Sequence, residues 1–248
     1  MRRTCFIRAL SLLLSAAIGT VWAADNELTQ EEQGVGWELL FDGTTKGWKC
    51  DNEKAINPAS QDEAGALVPY RAGGYLVVFY GDPEDARKPD TGVFGDFILK
   101  CDVKMVTPQC NSGIFIRTGD PKDPVQTGLE MQIANQTGTS SHVYAGIYDL
   151  AGPIKAAGVK PGEWAHVEVT CIGPHIAIAI NGETITTMNC DEYAEPGKNP
   201  DGRRNKFKKA IKDFPRAGYI GFQDHADKTK AIYKNIKILQ LDKSRKSE

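Results

Sequence analysis

Of the 248 residues, 41% are hydrophobic and 25% are charged, with 30 Lys and Arg set against 32 Asp and Glu. That is enough apolar material for a sizeable core, in one large all-β domain or two small ones. The net charge of −2 becomes −5 once Arg2, Arg3 and Arg8 of the N-terminal leader are removed, and no basic stripe of the kind phosphate neutralisation demands is present, which argues against nucleic acid as a partner.

The chain opens MRRTCFIRALSLLLSAAIGTVWA, with arginines ahead of an apolar run that closes on small residues around Trp22. This is the pattern of a signal peptide over 1–23, and it predicts a secreted or periplasmic protein. The run from Ala9 to Ala23 is short for a bilayer span, which takes roughly 20 apolar residues, so no integral membrane segment is expected after processing. Cys5 precedes the run, which disfavours a lipid anchor. Residues 24–36 are polar without periodicity and read as a flexible arm.

From Trp37 to residue 242 the pattern is strands and turns. Runs such as GGYLVVFYG, DFILKCDVKMV, NSGIFIRTG, GLEMQIAN, WAHVEVTCIG and AGYIGFQDH are short, β-branched or aromatic, and bounded by Gly, Pro, Asn or Asp. Their number predicts an all-β sandwich of two antiparallel sheets. In HIAIAINGETITTM, two alternating runs flank Asn181-Gly182, the pair best suited to positive φ at both centres of a hairpin turn. One helix is expected in NPDGRRNKFKKAIKDFP, where Phe207, Ala210, Ile211 and Phe214 recur at helical spacing and the basic residues between them form a solvated face. The last run, AIYKNIKILQL, alternates and can pair with WELLFDG to close the sheet, leaving 243–248 as a tail.

Cys50, Cys101, Cys110, Cys171 and Cys190 follow the leader, an odd number without a CxxC, and are read as structural thiols or one or two disulfides. His142, His166, His175 and His225 lack zinc spacing, so no metal ligands are assigned; a divalent cation at a sandwich edge stays open.

The pleats suggest a site. Ile114, Ile116, Met131, Ile133, Ile220 and Phe222 fall on one face of their strands, and Asn111, Arg117, Glu130, Gln132, Tyr148, Gln223 and His225 on the other. If these strands are neighbours, an acid, a cation, an imidazole, amides and a phenol share one patch. Amides and fork-shaped donors suit sugar hydroxyls, and Tyr148 and Phe115 offer ring faces. An antiparallel sheet with one wet face would alternate in the same way, with Glu130 and Arg117 as a surface ion pair.

The ordered set WELLFDG, DFILKCDVKM, NSGIFIRTG, GLEMQI, GEWAHVEVTCIG, NGETI and GYIGFQDH, spanning about 37–241, resembles the 3-keto-disaccharide hydrolase domain family. The resemblance implies a concanavalin A-like jelly roll and activity on glycosides oxidised to a ketone at carbon three. Departures from the family pattern fall at Ala165, at Ala226 and around Ala145-Gly146, and bear on substrate fit.

An ordinary glycosidase needs two carboxylates across the scissile bond, and this face offers one, Glu130. A ketone at carbon three acidifies the hydrogen on carbon two, so one base can start an elimination that expels the aglycone from carbon one before water adds. On this reading Glu130 and His225 are the acid/base pair in either order and Arg117 faces the enolate, while Gln132, Tyr148, Gln223 and Asn111 hold the sugar. The competing readings are a non-catalytic carbohydrate-binding module and a structural envelope protein.

Overall fold

The computed structural model describes residues 24–57, 65–81, 92–225 and 230–241. The expected signal peptide and C-terminal tail, and Ala226, lie outside these.

Two antiparallel sheets face each other, as the strand pattern predicts. The larger holds six strands in the order β1 (Glu38–Leu39), β11 (Ala231–Gln240), β4 (Phe97–Met105), β7 (Trp164–Ile172), β8 (His175–Ile180) and β9 (Glu183–Asn189). The smaller holds five, in the order β2 (Trp48–Cys50), β3 (Leu76–Phe79), β10 (Tyr219–Gln223), β5 (Asn111–Thr118) and β6 (Leu129–Ala134). The first and last strands do pair, with Glu38 opposite Ile238. The β8–β9 hairpin turns through Asn181 and Gly182 at φ 50° and 84°, the positive values this residue pair tolerates at least cost.

The core lies between the sheets. Leu99, Cys101 and Val103 of β4 and Val167 and Val169 of β7 meet Ile114, Ile116, Met131 and Phe222 from the opposite sheet. β4 and β7 alternate buried with part-exposed residues, as strands with one wet face do. β6 is buried along its whole length and β5 along all but its first residue, so their second face is covered as well. The five cysteines among the described residues are free thiols in this interior, and burial pushes each thiol pKa up.

Three expectations are corrected. Residues 24–36 are not a loose arm. They include helix α1 (Gln30–Val35), started by a reciprocal capping box between Thr29 and Glu32 and stopped by Gly36 at φ 96°. No residue of α1 is buried, which is why hydrophobic periodicity misses it; polar contacts dock it instead. Asn26 and Asn235 exchange backbone-to-side-chain bonds of 2.6 and 2.9 Å, Asp25 pairs with Lys234 at 2.7 Å, and Glu32 pairs with Lys237.

Asn235 also breaks the alternation of β11. It sits at φ 55°, where the pairing with β4 slips, so Tyr233 as well as Ile236 and Ile238 enters the core. Ile232 turns outward to a small cluster with Ala66 and Val68.

The late helix does not form. Residues 194–216 are a folded loop carrying the isolated bridges Glu195–Lys198 and Lys198–Arg204 and one 3₁₀ turn, Ile211–Asp213. The apolar residues read for the helix are still buried, Phe207, Ala210, Ile211 and Phe214 all being part of the interior. Side chains take the backbone groups a helix would have used: Asp149 accepts the Lys206 N–H at 2.6 Å, and Gln126 bonds both the Lys206 carbonyl and the Lys208 N–H.

Candidate active site

On the outer face of the five-stranded sheet, β6, β5 and β10 form a floor flanked by the loops that carry Tyr148 and Lys206, and the space between those loops is the candidate cleft. Gly113 of β5 pairs with Gln132 of β6, and Phe115 with Glu130. The Glu130 side chain leans over the missing side chain of Gly113, where an added Cβ would lie 2.5 Å from Oε1. A Cβ there would force the Glu130 side chain to shift, so glycine is what lets the carboxylate settle over β5. Gln132 donates to Asn111 Oδ1 at 2.7 Å, and Gln223 donates to the Tyr75 hydroxyl at 2.6 Å. The other amide oxygens, Gln132 Oε1 and Gln223 Oε1, are buried with no hydrogen-bond partner in the protein. Two unpaired acceptors in one floor can take hydrogen bonds from water or from the hydroxyls of a bound molecule.

Two loops build the rim. Residues 145–148 extend the sheet along the free edge of β6, where Ala145 N–H bonds the Gln132 carbonyl and Tyr148 N–H bonds the Glu130 carbonyl. Ala145 and Asp149 both adopt positive φ, 65° and 66°, so the chain turns tightly on either side of Tyr148. Gly146 packs against the returning chain, and a Cβ there would lie 2.6 Å from the Ser141 carbonyl oxygen. The second rim loop brings Lys206. Its Nζ stands 3.8 Å from Glu130 Oε2 and 4.7 Å from the centre of the Tyr148 ring. Asn199 secures this loop by donating to the Asp149 carbonyl at 3.0 Å.

Asp149 ties the two loops together. Its Oδ2 accepts the Lys206 N–H, and its Oδ1 lies 3.2 Å from His142 Nε2. The His142 ring packs on Tyr148 with ring centres 4.6 Å apart.

The electrostatics follow from burial. Glu130 is 5% exposed, and loss of solvent pushes its carboxyl from an ordinary 4.5 to about 7, against the opposing pull of the Lys206 charge and the Gln223 amide. Lys206 is lowered, mainly by desolvation, while Glu130 and Asp149 resist that shift. Tyr75 is pushed up to about 12 by burial and then by the Glu130 charge; Tyr148 is raised for the same two reasons. A carboxylate that titrates near neutrality beside a part-buried ammonium is suited to taking a proton and stabilising the anion that results.

The structure brings together Glu130, Gln132, Asn111, Tyr148 and Gln223 from the sequence reading. Arg117 is elsewhere. The β5–β10 pairing slips just before Thr118, and Arg117 takes φ 47° at that bulge, which turns its side chain away from the cleft. It is 1% exposed, donates to the carbonyls of Gly95 and Gly173 at 3.1–3.2 and 2.6 Å, and pairs with Asp96 at 3.1 Å. The competing reading of Glu130 and Arg117 as a surface ion pair does not hold, because Arg117 pairs with Asp96 and the cation beside Glu130 is Lys206. His225 is exposed, two residues past the end of β10 and next to the undescribed segment 226–229.

Lys206, Tyr75, His142 and Asp149 escaped the sequence reading. Lys206 sat in a run that looks like the wet face of a helix, and Asp149 gains its position from a left-handed backbone that parity cannot show. Among the described residues, no three His, Cys, Asp or Glu side chains group as metal ligands.

A buried, mixed-charge cleft on the smaller sheet of an antiparallel sandwich defines a carbohydrate-active domain once the relatives are considered. Residues 36–239 match the 3-keto-alpha-glucoside-1,2-lyase-like domain, and the chain belongs to that family. Two crystal structures from Parabacteroides distasonis ATCC 8503, each described as a "putative glycosyl hydrolase", are similar to it at 26% identity. One aligns over 83% of this chain and 99% of its own with a TM-score of 0.67, the other over 88% and 100% with 0.64. No curated protein matches the chain.

Proposed function

We propose that this protein cleaves glycosides bearing a ketone at carbon three, by elimination followed by hydration, so that the net reaction is hydrolysis. The observation that carries this reading is Glu130 lying buried over Gly113, raised to about 7 and 3.8 Å from the Lys206 ammonium. Near neutral pH a useful fraction of such a carboxylate is ionised and yet basic enough to remove an acidified C2 hydrogen. As the proton moves, negative charge builds on the C3 oxygen. Lys206 takes the role first assigned to Arg117 and faces that charge in a site shielded from water, where a fixed cation is most effective.

The C1–O bond then breaks, and an imidazole at the rim supplies the proton for the leaving oxygen. Water adds across the C1–C2 double bond to give the free 3-keto sugar. Gln132 and Gln223 offer their orphaned oxygens to the hydroxyls that remain on the ring, with Tyr148 beside it. Direct hydrolysis of unmodified sugars is disfavoured because the other rim carboxylate, Asp149, has both oxygens engaged, on His142 and on the Lys206 backbone. The leader sequence supports export to the periplasm or medium as part of this proposal.

The test is turnover of a 3-keto-glucoside panel by the purified mature chain, with and without chelator, followed by NMR. Substrate deuterated at C2 is expected to react several-fold more slowly, or to lose its label to solvent. Cleavage with neither effect points to conventional hydrolysis and defeats the proposal, as does binding of unoxidised glycans without turnover of any keto sugar.

A further inference from the structure

We infer that His142, held by Asp149 and packed on Tyr148, is the acid that protonates the departing aglycone. This rests on reading the cleft as a keto-glycoside lyase. Glu130 lies at the floor, so the C2 hydrogen of a sugar presented to it points down, and the C1–O bond of an α-glucoside, trans to that hydrogen, projects toward the rim. His142 stands at that rim with a half-exposed side chain. Its Nε2 is engaged by Asp149 Oδ1 at 3.2 Å, which fixes the ring plane and leaves Nδ1 for a substrate oxygen.

An incidental surface ion pair would leave the carboxylate mobile. Asp149 is instead bonded on every side: its second oxygen takes the Lys206 N–H at 2.6 Å, its carbonyl takes the Asn199 amide, and its backbone is turned at φ 66°. One carboxylate therefore sets both the imidazole and the loop that delivers the ammonium. Tyr148 lies between them, in contact with the His142 ring at 4.6 Å and with Lys206 Nζ at 4.7 Å. Base, cation and acid thus run from floor to mouth in the order in which elimination uses them.

In the step itself, the C2–H pair becomes the C1–C2 double bond by way of the enolate, and Glu130 receives the proton. The C1–O pair leaves with the glycosidic oxygen, which takes the proton from the protonated His142 ring. Both groups then return to their starting states by exchange with solvent.

An acid of this kind matters only when the leaving oxygen is a poor leaving group. The experiment compares wild type, His142→Gln, Asp149→Asn and His225→Gln on two 3-keto-glucosides, one carrying 4-nitrophenol and one carrying methanol. His142→Gln is expected to lose about 100-fold or more in kcat on the methyl substrate and only a few-fold on the nitrophenyl one, in line with general-acid contributions of about 10²–10⁴. Asp149→Asn should show the same asymmetry, more weakly. His142→Gln slowing both substrates equally, or neither, overturns the assignment, as does the asymmetry appearing in His225→Gln instead. Failure of wild type to cleave either substrate defeats the reading of the cleft itself, a result separable from the others.

Discussion

Replacing Glu130 by glutamine is expected to abolish turnover and at the same time to stabilise the folded protein in alkaline solution. In the unfolded chain this carboxyl titrates near 4.5, in the folded cleft at about 7. Below 4.5 it is protonated in both states and costs nothing. As pH rises from 4.5 to about 7, the folded state keeps a proton that the unfolded state has released, so stability falls over that window and levels off once the group is ionised in both. Moving a carboxyl from 4.5 to about 7 corresponds to roughly 3 kcal/mol, and the residue is too buried for solvent to screen that cost. The amide keeps the shape and removes the titration. Urea unfolding of wild type and Glu130→Gln should therefore give nearly equal stabilities at pH 4 and an advantage of roughly 3 kcal/mol for the variant at pH 8, groups that do not interact with Glu130 cancelling in the difference. A difference that does not change with pH would mean that Glu130 titrates like a solvated acid, and the argument for a buried base would fail.

Lys206→Met removes the cation facing the enolate and is expected to lower kcat by about 10²–10³. Because Lys206 holds the Glu130 carboxyl down, the rising limb of the pH–rate profile should also move to higher pH. Gly113→Ala puts a methyl group 2.5 Å from Glu130 Oε1, and a carboxylate pushed aside by about 1 Å should cost on the order of 100-fold in kcat with an unchanged circular dichroism spectrum. Arg117→Ala should act on stability rather than chemistry, lowering the unfolding free energy by about 2–4 kcal/mol through the lost charge-assisted bonds to Asp96 and to the Gly95 and Gly173 carbonyls. A large loss of kcat in its folded fraction, measured by active-site titration, would contradict its placement outside the cleft.

How much of the site was legible depended on the regularity of the backbone. Glu130, Gln132 and Asn111 lie on strands of unbroken pleat, where alternation alone tells which face each side chain takes. Alternation misplaces Arg117 because a single left-handed residue at a bulge resets that count, and Asn235 does the same for the last strand. The basic run around Lys206 carried helical spacing in its apolar residues, yet that spacing recorded only that Phe207, Ala210, Ile211 and Phe214 are buried.

Alternation, turn residues and composition determined by themselves the two-sheet sandwich, the Asn181-Gly182 hairpin and the polar row that includes Glu130, because these follow from local periodicity and steric preference. Only the tertiary structure decided that the polar row is buried and that Lys206, Tyr75 and His142 stand around it. Tyr75 arrives through the pairing of β3 with β10, and Lys206 and His142 through the two oxygens of Asp149; no local pattern records a hydrogen bond that spans 57 positions.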